Sequence, residues 1–282
     1  MSKVALVTDS TAYIPKDLVD QYKITVAPQI LIWGDQTYLD GLDITPEEFY
    51  TRLSKTTVMP TTSQVNIASF QQIFKQLIDE DYEVLAVLLS KHFSKTIDSA
   101  LQAREMFPDA PIEIVDSTTT AMAMGFIVLS VARLAERGAS LAECKALAEK
   151  ATNHVGVLLT VDTLEFLHRG GRIGGGQRFL GSALSIKPIL EVRDGRIEPV
   201  ERVRTRKKSL LRLIELVRER IGDREPVRLA TLHANAHDDA LEILEEAKTQ
   251  LKIVESVFSE VSPVVGTHAG PGTVGLAFMA GM

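Results

Sequence analysis

The sequence predicts an α/β protein of two domains: an N-terminal, mainly parallel sheet with helices on both faces, and a C-terminal α+β domain. The first half alternates short apolar runs with amphipathic helical segments, a pattern typical of right-handed β-α-β crossovers. The second half contains Asp194-Gly195 between two apolar runs, which indicates an antiparallel hairpin. We place the domain boundary near residue 160, which gives domains of 1–160 and 161–282.

The N-terminal elements follow from hydrophobic periodicity and from helix-start signals. Thr45, Pro46 and Glu48 form a capping box that begins one helix, and Ser140 with Glu143 begins another. The predicted strands are the apolar runs 4–7, 24–32, 84–89 and 112–115. Further helices are predicted around 70–78, over 94–106 and in a long segment ending at 136.

The C-terminal elements are predicted by the same signals. Strands are expected over 155–161, 188–192, 196–203, 227–232 and 253–258. Helices are expected over 178–186, 207–221 and 238–251. The glycine-rich segment 264–273 is predicted to be a loop that carries His268, before a last apolar run.

Composition argues against several classes of function. A net charge of −6 argues against a protein that binds nucleic acid or anionic membranes mainly through charge. Cys144 is the only cysteine, so no internal disulfide is possible and a reducing compartment is indicated. The N-terminus shows no secretion signal, and the longest apolar run, 121–132, is too short to span a bilayer. We therefore expect a soluble, cytoplasmic protein.

Chemical motifs are few. The sequence contains no His-Glu-x-x-His, no cysteine pair and no EF-hand pattern, so no metal site is expected. It also lacks a P-loop, a dinucleotide fingerprint after a strand, and a Gly-x-Ser-x-Gly elbow. An acyl hydrolase or transferase that uses Ser94 or Thr62 with His268 stays open as an alternative, as does a regulator that binds phosphate or sugar.

Three predicted strands end in hydroxyl-rich turns, at 8–10, 90–96 and 116–120. The carboxyl ends of parallel strands meet at one edge of a sheet, so we expect these turns to converge with the hydroxyl groups of 61–63. Hydroxyls and free helix N–H groups together suit a small anionic headgroup. For any one turn taken alone, a helix N-cap is the commoner explanation.

Two basic segments each have two interpretations. The stretch 167–176, with five glycines and two arginines, is either a flexible linker or a crossing that binds an anion. The basic run Arg202, Arg204 and Arg206, which continues through 207–208, is either a solvated face or a docking surface for an acidic partner.

In order and spacing, several segments resemble the DegV family, bacterial fatty-acid-binding proteins that serve as the lipid-carrying subunit of fatty acid kinase. The matching segments are 7–10, 40–43, 62–64, 90–96, 167–174, 187–190 and 266–272. The serine-rich turn departs from the family pattern because His92 and Lys95 replace glycines, and Val65 stands where proline is common.

The resemblance implies a long-chain fatty acid between the two domains, with no other cofactor. Its carboxylate would be bound by Thr62, Ser94 and His268. The residues implied near the headgroup are Ser63, Thr96, Arg169, Gly170 and Thr267. A partner, the catalytic subunit of fatty acid kinase, would phosphorylate the carboxylate for phospholipid synthesis, so this chain would not itself be the enzyme. The accessible basic run Arg202, Arg204 and Arg206 is the expected kinase contact.

Overall fold

The computed structural model describes residues 3–180 and 186–282. Within these ranges the chain forms thirteen strands and ten helices. The strands are β1 Lys3–Asp9, β2 Thr25–Ala27, β3 Ile30–Trp33, β4 Gln36–Leu39, β5 Thr61–Ser63, β6 Tyr82–Leu88, β7 Ile112–Asp116, β8 Val155–Thr160, β9 Lys187–Arg193, β10 Arg196–Val203, β11 Val227–His233, β12 Ile253–Val257 and β13 Val274–Ala280. The helices are α1 Lys16–Gln21, α2 Pro46–Leu53, α3 Ile67–Asp79, α4 Thr96–Arg104, α5 Ala121–Glu136, α6 Leu141–Ala151, α7 Glu165–Arg169, α8 Arg206–Ile221, α9 His237–Gln250 and α10 Pro263–Ala269.

The first sheet has the strand order β2-β1-β6-β7, and all its described pairs are parallel. Helices α3 and α4 cover one face and α5 and α6 the other, as the alternating pattern predicts. Strand β6 is buried on both faces, which explains its continuous apolar run. Thr45 and Ser140 form the predicted capping boxes with Glu48 and Glu143.

The second sheet has the order β10-β9-β8-β13-β11-β12, and only β11 and β12 pair in parallel among its described strands. Strands β9 and β10 form the predicted hairpin around Asp194-Gly195. Helices α8 and α9 pack on one face of this sheet, while α5 packs against β8, β11 and β13. Helix α5 therefore lies between the two sheets, and this is why its first nine residues are all buried.

The predicted strand 24–32 is wrong. Pro28 has no N–H donor for a β-ladder, and the chain breaks there into two strands. Strand β2 pairs with β1 in the first sheet, whereas β3 joins a small antiparallel sheet of order β4-β3-β5. This third sheet positions Thr62, because Thr62 pairs with Leu31 of β3.

The predicted loop 264–273 is also wrong in its first half. Residues Pro263–Ala269 form helix α10, with Pro263 at the first helical turn and Gly270, at φ 77°, ending it. His268 therefore lies in the last turn of a helix. A helix of seven residues is too short to show a repeating apolar pattern. The glycines of the segment therefore favoured the prediction of a loop.

The predicted helix over 178–186 falls mostly outside the described residues, since 181–185 are not among them. Its first two residues, 178–179, lie in a 3₁₀ helix, Gly174–Phe179. Sheet membership changes between α6 and β8, because β8 pairs only in the second sheet within the described ranges. The division into domains near residue 160 stays a prediction.

No helix within 3–180 or 186–282 has the length and apolar character needed to cross a membrane.

Candidate functional site

The hydroxyl-rich turns converge at the carboxyl edge of the first sheet. The carboxylate of Asp9, which is fully buried, accepts hydrogen bonds from the N–H and hydroxyl of Thr11 and from the N–H of Leu89, at 2.7–3.0 Å. The N–H of Ser90 donates to the carbonyl of Thr119 at 2.9 Å. Burial raises the pKa of Asp9, and its hydrogen bonds oppose that shift. The ends of β1, β6 and β7 are therefore joined, as their positions in the sequence predict.

A cavity of about 320 Å³ lies between this edge and the second sheet. Its deep walls are buried and mostly apolar, whereas several side chains at its mouth are exposed or half-buried and polar. Deep wall residues include Leu89, Ala121, Val157, Leu159, Leu232, Val261 and Val264. Mouth residues include Thr62, Ser63, Gln64, Lys91, His92, Ser94, Lys95, Arg172 and His268. The shape suits a molecule with a long apolar part and one polar end.

Thr62 and His268 are brought together at the mouth. The hydroxyl of Thr62, on β5, lies 2.7 Å from Nε2 of His268, on α10. Burial, with the nearby Arg172 charge, lowers the pKa of His268 to about 4, so its ring is neutral at neutral pH. The other ring nitrogen, Nδ1, is buried and has no hydrogen-bond partner in the described part of the chain. Gly170 is needed here, since a Cβ at that position would collide with Nδ1.

Ser94 lines the same cavity from the turn after β6. Its hydroxyl lies 2.9 Å from the hydroxyl of Thr96, which in turn hydrogen-bonds the side-chain amide of Gln29. Thr96 is fully buried, and its contact with the Ser94 hydroxyl helps to hold that side chain in place. Ser63 lines the cavity beside Thr62.

Arg172 is a cavity residue that sequence reasoning missed. Its Nε donates to the carbonyl of Phe93 at 3.0 Å and its Nη1 to the carbonyl of Gly170 at 2.6 Å. It has no carboxylate partner among the described residues, and burial lowers its pKa. Arg169, named from the sequence, lies outside the cavity lining and pairs with Glu165 at the surface. Both arginines belong to one glycine-rich stretch, and no local signal distinguishes them.

The remaining predicted residues lie away from the cavity lining. Thr267 is buried and its hydroxyl donates to the carbonyl of Pro263 at 2.9 Å. Arg202 donates to the carbonyl of Arg178 and lies over the ring of Phe179. Arg204 is exposed.

Arg206 differs from its two neighbours in the basic run. It pairs with Asp239 at 2.8 Å and approaches Asp162 at 3.6 Å. Its charge is therefore engaged within the fold, so Arg202 and Arg204 are the accessible arginines of the basic run.

The geometry bears on the alternative chemistries. A Thr62–His268 pair resembles a nucleophile and its base, but the base needs a group that orients its second nitrogen. That nitrogen has no partner in the described ranges, and Ser94 bonds to Thr96 instead of His268. Within 3–180 and 186–282 no group of three or more His, Cys, Asp or Glu side chains is arranged to hold a metal ion.

Fold and site together define an α/β protein with an apolar cavity between two sheets and a polar, cationic mouth. The chain belongs to the DegV family: the family model described as "Uncharacterised protein, DegV family" matches residues 3–281. Protein DegV of Bacillus subtilis is 36% identical over 277 residues, covering 98% of each chain.

Solved structures agree with this assignment. A DegV family protein from Thermus thermophilus, described by its fatty acid binding, matches with a TM-score of 0.94 and 32% identity over 99% of each chain. DegV of Bacillus subtilis, described as a fatty acid binding protein, matches with a TM-score of 0.88 and 33% identity, covering 99% of this chain and 100% of that one. The predicted family and fold class are thereby confirmed.

Proposed function

We propose that this protein binds a long-chain fatty acid, with the acyl chain in the apolar cavity and the carboxylate at the mouth. The observation that carries the proposal is the cavity itself, which joins a buried apolar interior to the Thr62–His268 pair, Ser94 and Arg172. The fatty acid binding described for the related structures supports the same ligand class.

The energetics of such a ligand are favourable. Burying an alkyl chain stabilises the complex by about 0.8 kcal/mol per methylene, so a long chain contributes on the order of 10 kcal/mol before the costs of association. A buried carboxylate must be hydrogen-bonded or neutralised. The hydroxyls of Thr62 and Ser94 are donors for it, and Arg172, which has no carboxylate partner in the described chain, supplies a positive charge.

Native mass spectrometry of the freshly purified protein tests the proposal. We expect an added mass that solvent extraction identifies as a fatty acid of about 14–20 carbons, since a cavity of about 320 Å³ is within the size range of small-molecule sites. A protein without bound lipid that also fails to bind added fatty acid would contradict the proposal.

The acyl hydrolase or transferase alternative is kept because Thr62 and His268 are in contact. It requires a covalent acyl intermediate on Thr62 or Ser94. Intact-mass measurement after incubation with an acyl-directed electrophile distinguishes the two functions. A stable adduct that disappears in Thr62→Ala or Ser94→Ala would favour the enzyme, whereas a carrier should bind the acyl group without covalent attachment.

We further propose that a partner kinase phosphorylates the bound carboxylate, that the acyl phosphate enters phospholipid synthesis, and that this chain serves as the lipid-binding subunit. The mouth of the cavity supports this step, because Lys91 and Lys95 line it and are exposed, so positive charge lies at the opening through which a kinase would reach the carboxylate. The exposed pair Arg202 and Arg204 is the proposed kinase contact.

Charge reversal tests the kinase contact. Arg202→Glu with Arg204→Glu should lower acyl phosphate formation by about tenfold or more while fatty acid affinity stays unchanged. The two glutamates would repel an acidic surface on the kinase and so slow association. Arg218→Glu, at an exposed position further along α8, is the matched control. Equal phosphorylation in both variants would show that Arg202 and Arg204 form a solvated face.

A further inference from the structure

Asp40 is a buried carboxylate outside the cavity lining, with 2% of its surface exposed. A buried carboxylate is stable only where hydrogen bonds replace its hydration. Its Oδ2 accepts from the hydroxyl of Ser10 at 2.6 Å, and its Oδ1 accepts from the N–H of Val264 at 3.1 Å. Asp40 therefore joins the end of β1 to helix α10, across 224 positions of the sequence.

The bond to Val264 caps α10. The first N–H groups of a helix have no partner inside the helix, and a side chain at the N-cap usually accepts from one of them. Ser262 occupies the N-cap of α10 but makes no capping hydrogen bond, and its hydroxyl lies 3.2 Å from that of Tyr13. The carboxylate of Asp40 takes over this role and adds a negative charge at the positive end of the helix.

The other end of α10 is held by the site. His268, in its last turn, hydrogen-bonds Thr62. Between the two ends, Gly266 packs so closely against Tyr50 that a Cβ there would meet the Tyr50 hydroxyl. All three contacts come from the first half of the chain, whereas Gly170 and helix α7 of the second half pack against the same helix. The orientation of His268 therefore depends in part on how the first half holds α10.

The same carboxylate is linked to Ser94. The hydroxyl of Ser10 accepts from the N–H of Gln29 at 3.1 Å, and the Gln29 side chain hydrogen-bonds Thr96 at 3.0 Å. Thr96 lies 2.9 Å from Ser94. A continuous series of hydrogen-bonded residues thus runs from Ser94 to Asp40 and on to the helix that carries His268.

We propose that Asp40 is a positioning residue of the ligand site: it fixes α10, and with it His268, relative to the turn that carries Ser94. The inference rests on the proposed fatty acid binding. Removing the carboxylate leaves the Val264 N–H and the Ser10 hydroxyl without their partner, and the first turn of α10 keeps only the Ser262–Tyr13 hydrogen bond among the described side-chain bonds that join it to the first half of the chain. Ligand affinity falls although Asp40 does not line the cavity.

Two substitutions and one control test the proposal with oleate as the probe. Asp40→Ala should weaken oleate binding by about tenfold or more, as expected for a lost charge-assisted hydrogen bond. Asp40→Asn retains an acceptor oxygen for Val264 and should stay within about threefold of the parent protein. Glu255→Gln is the matched control, because Glu255 of β12 bonds Arg133 of α5 at 2.7 and 2.9 Å without contacting α10. It should reduce stability and leave oleate affinity unchanged.

Hydrogen exchange of the lipid-free proteins supplies a readout that needs no ligand. In Asp40→Ala the amides of α10 should exchange about tenfold faster or more than in the parent protein, while those of α5 keep their rate. Asp40→Asn should restore the slow exchange. If the parent protein binds no oleate, the proposed function fails and this comparison still decides the role of Asp40. Unchanged α10 exchange, or unchanged oleate affinity in Asp40→Ala when the parent binds oleate, would overturn the proposal.

Discussion

At the scale of single residues, the proposed headgroup site depends on donors that differ in charge and in burial. His268 is neutral at neutral pH because burial lowers its pKa to about 4, so in the proposed site it would hold a carboxylate by hydrogen bonding and not by charge. In the same proposed site, Arg172 would supply the positive charge. Thr62 and Ser94 are carried by different elements: Thr62 belongs to β5 of the small third sheet, and Ser94 to the turn after β6.

Removing either hydroxyl should weaken binding without unfolding the protein. We expect Thr62→Ala and Ser94→Ala each to reduce fatty acid affinity by roughly 1–3 kcal/mol, the range for a lost buried hydrogen bond. Titration calorimetry with delipidated protein measures this. Unchanged affinity in both variants would show that the carboxylate lies elsewhere.

The two arginines of the glycine-rich stretch form a matched pair. Arg172→Gln removes a charge that lines the cavity and should lower fatty acid affinity by about tenfold or more. Arg169→Gln removes a surface ion pair with Glu165 and should leave affinity unchanged, because exposed pairs contribute little. The reverse ranking would restore Arg169 as the headgroup residue.

At the scale of elements, the β9–β10 hairpin closes one side of the cavity. Val192 and Ile197, on either side of its turn, line the cavity, and the Ser90 hydroxyl donates to the carbonyl of Gly195 at 2.9 Å. Gly195 has a φ of 75°, and a Cβ there would collide with the Ser90 side chain. Glycine is therefore required at this turn both by its backbone angle and by its contact.

A pair of glycine variants separates these two requirements. Gly195→Ala and Gly222→Ala both place a side chain at positive φ, but a Cβ at Gly222 meets nothing within 4 Å. Gly222→Ala should destabilise the protein by roughly 1–3 kcal/mol, because its φ of 59° with a ψ of −137° is a backbone conformation that other residues rarely adopt, and it should leave binding intact. Gly195→Ala should destabilise it further and also weaken fatty acid binding, measured by urea unfolding and calorimetry. Equal effects of both variants would mean that the hairpin contact does not shape the cavity.

At the scale of the whole molecule, buried ionisable groups couple stability to pH with opposite signs. The pKa of His268 is lowered from 6.5 to about 4, so the unfolded chain takes up more protons and acid destabilises the fold. Burial raises the pKa of Asp40 from 3.8 to about 6, so its contribution is fully present below pH 3.8 and is lost as pH rises through 6. Tyr13 and Tyr50 face Asp40, and burial raises their pKa values well above 10, so they stay neutral in this range.

The pH dependence is testable by unfolding the lipid-free protein in urea between pH 4 and 7. Replacing His268 by Asn should remove a loss of stability that accumulates as pH falls from 6.5 towards 4, up to roughly 3 kcal/mol. Replacing Asp40 by Asn should have the opposite effect on the slope, because it removes a group whose protonation favours the folded state. Parallel stability curves for the parent and both variants would contradict these pKa shifts.

The sequence by itself determined the alternation of strands and helices, both capping boxes, the Asp194-Gly195 hairpin and the meeting of three hydroxyl-rich turns. These features depend on local periodicity, on side chains within a few positions of each other, or on the rule that parallel strands end at one edge. They can therefore be inferred from the sequence alone.

Only the tertiary structure decided that 263–269 is helical, that Arg172 and not Arg169 lines the cavity, and that Asp40 caps α10. Each of these depends on groups far apart in the chain. Thr62 meets His268 across 206 positions and Asp40 meets Val264 across 224. A short helix held by distant partners has no periodicity of its own, and the direction in which an arginine points is set by the packing around it.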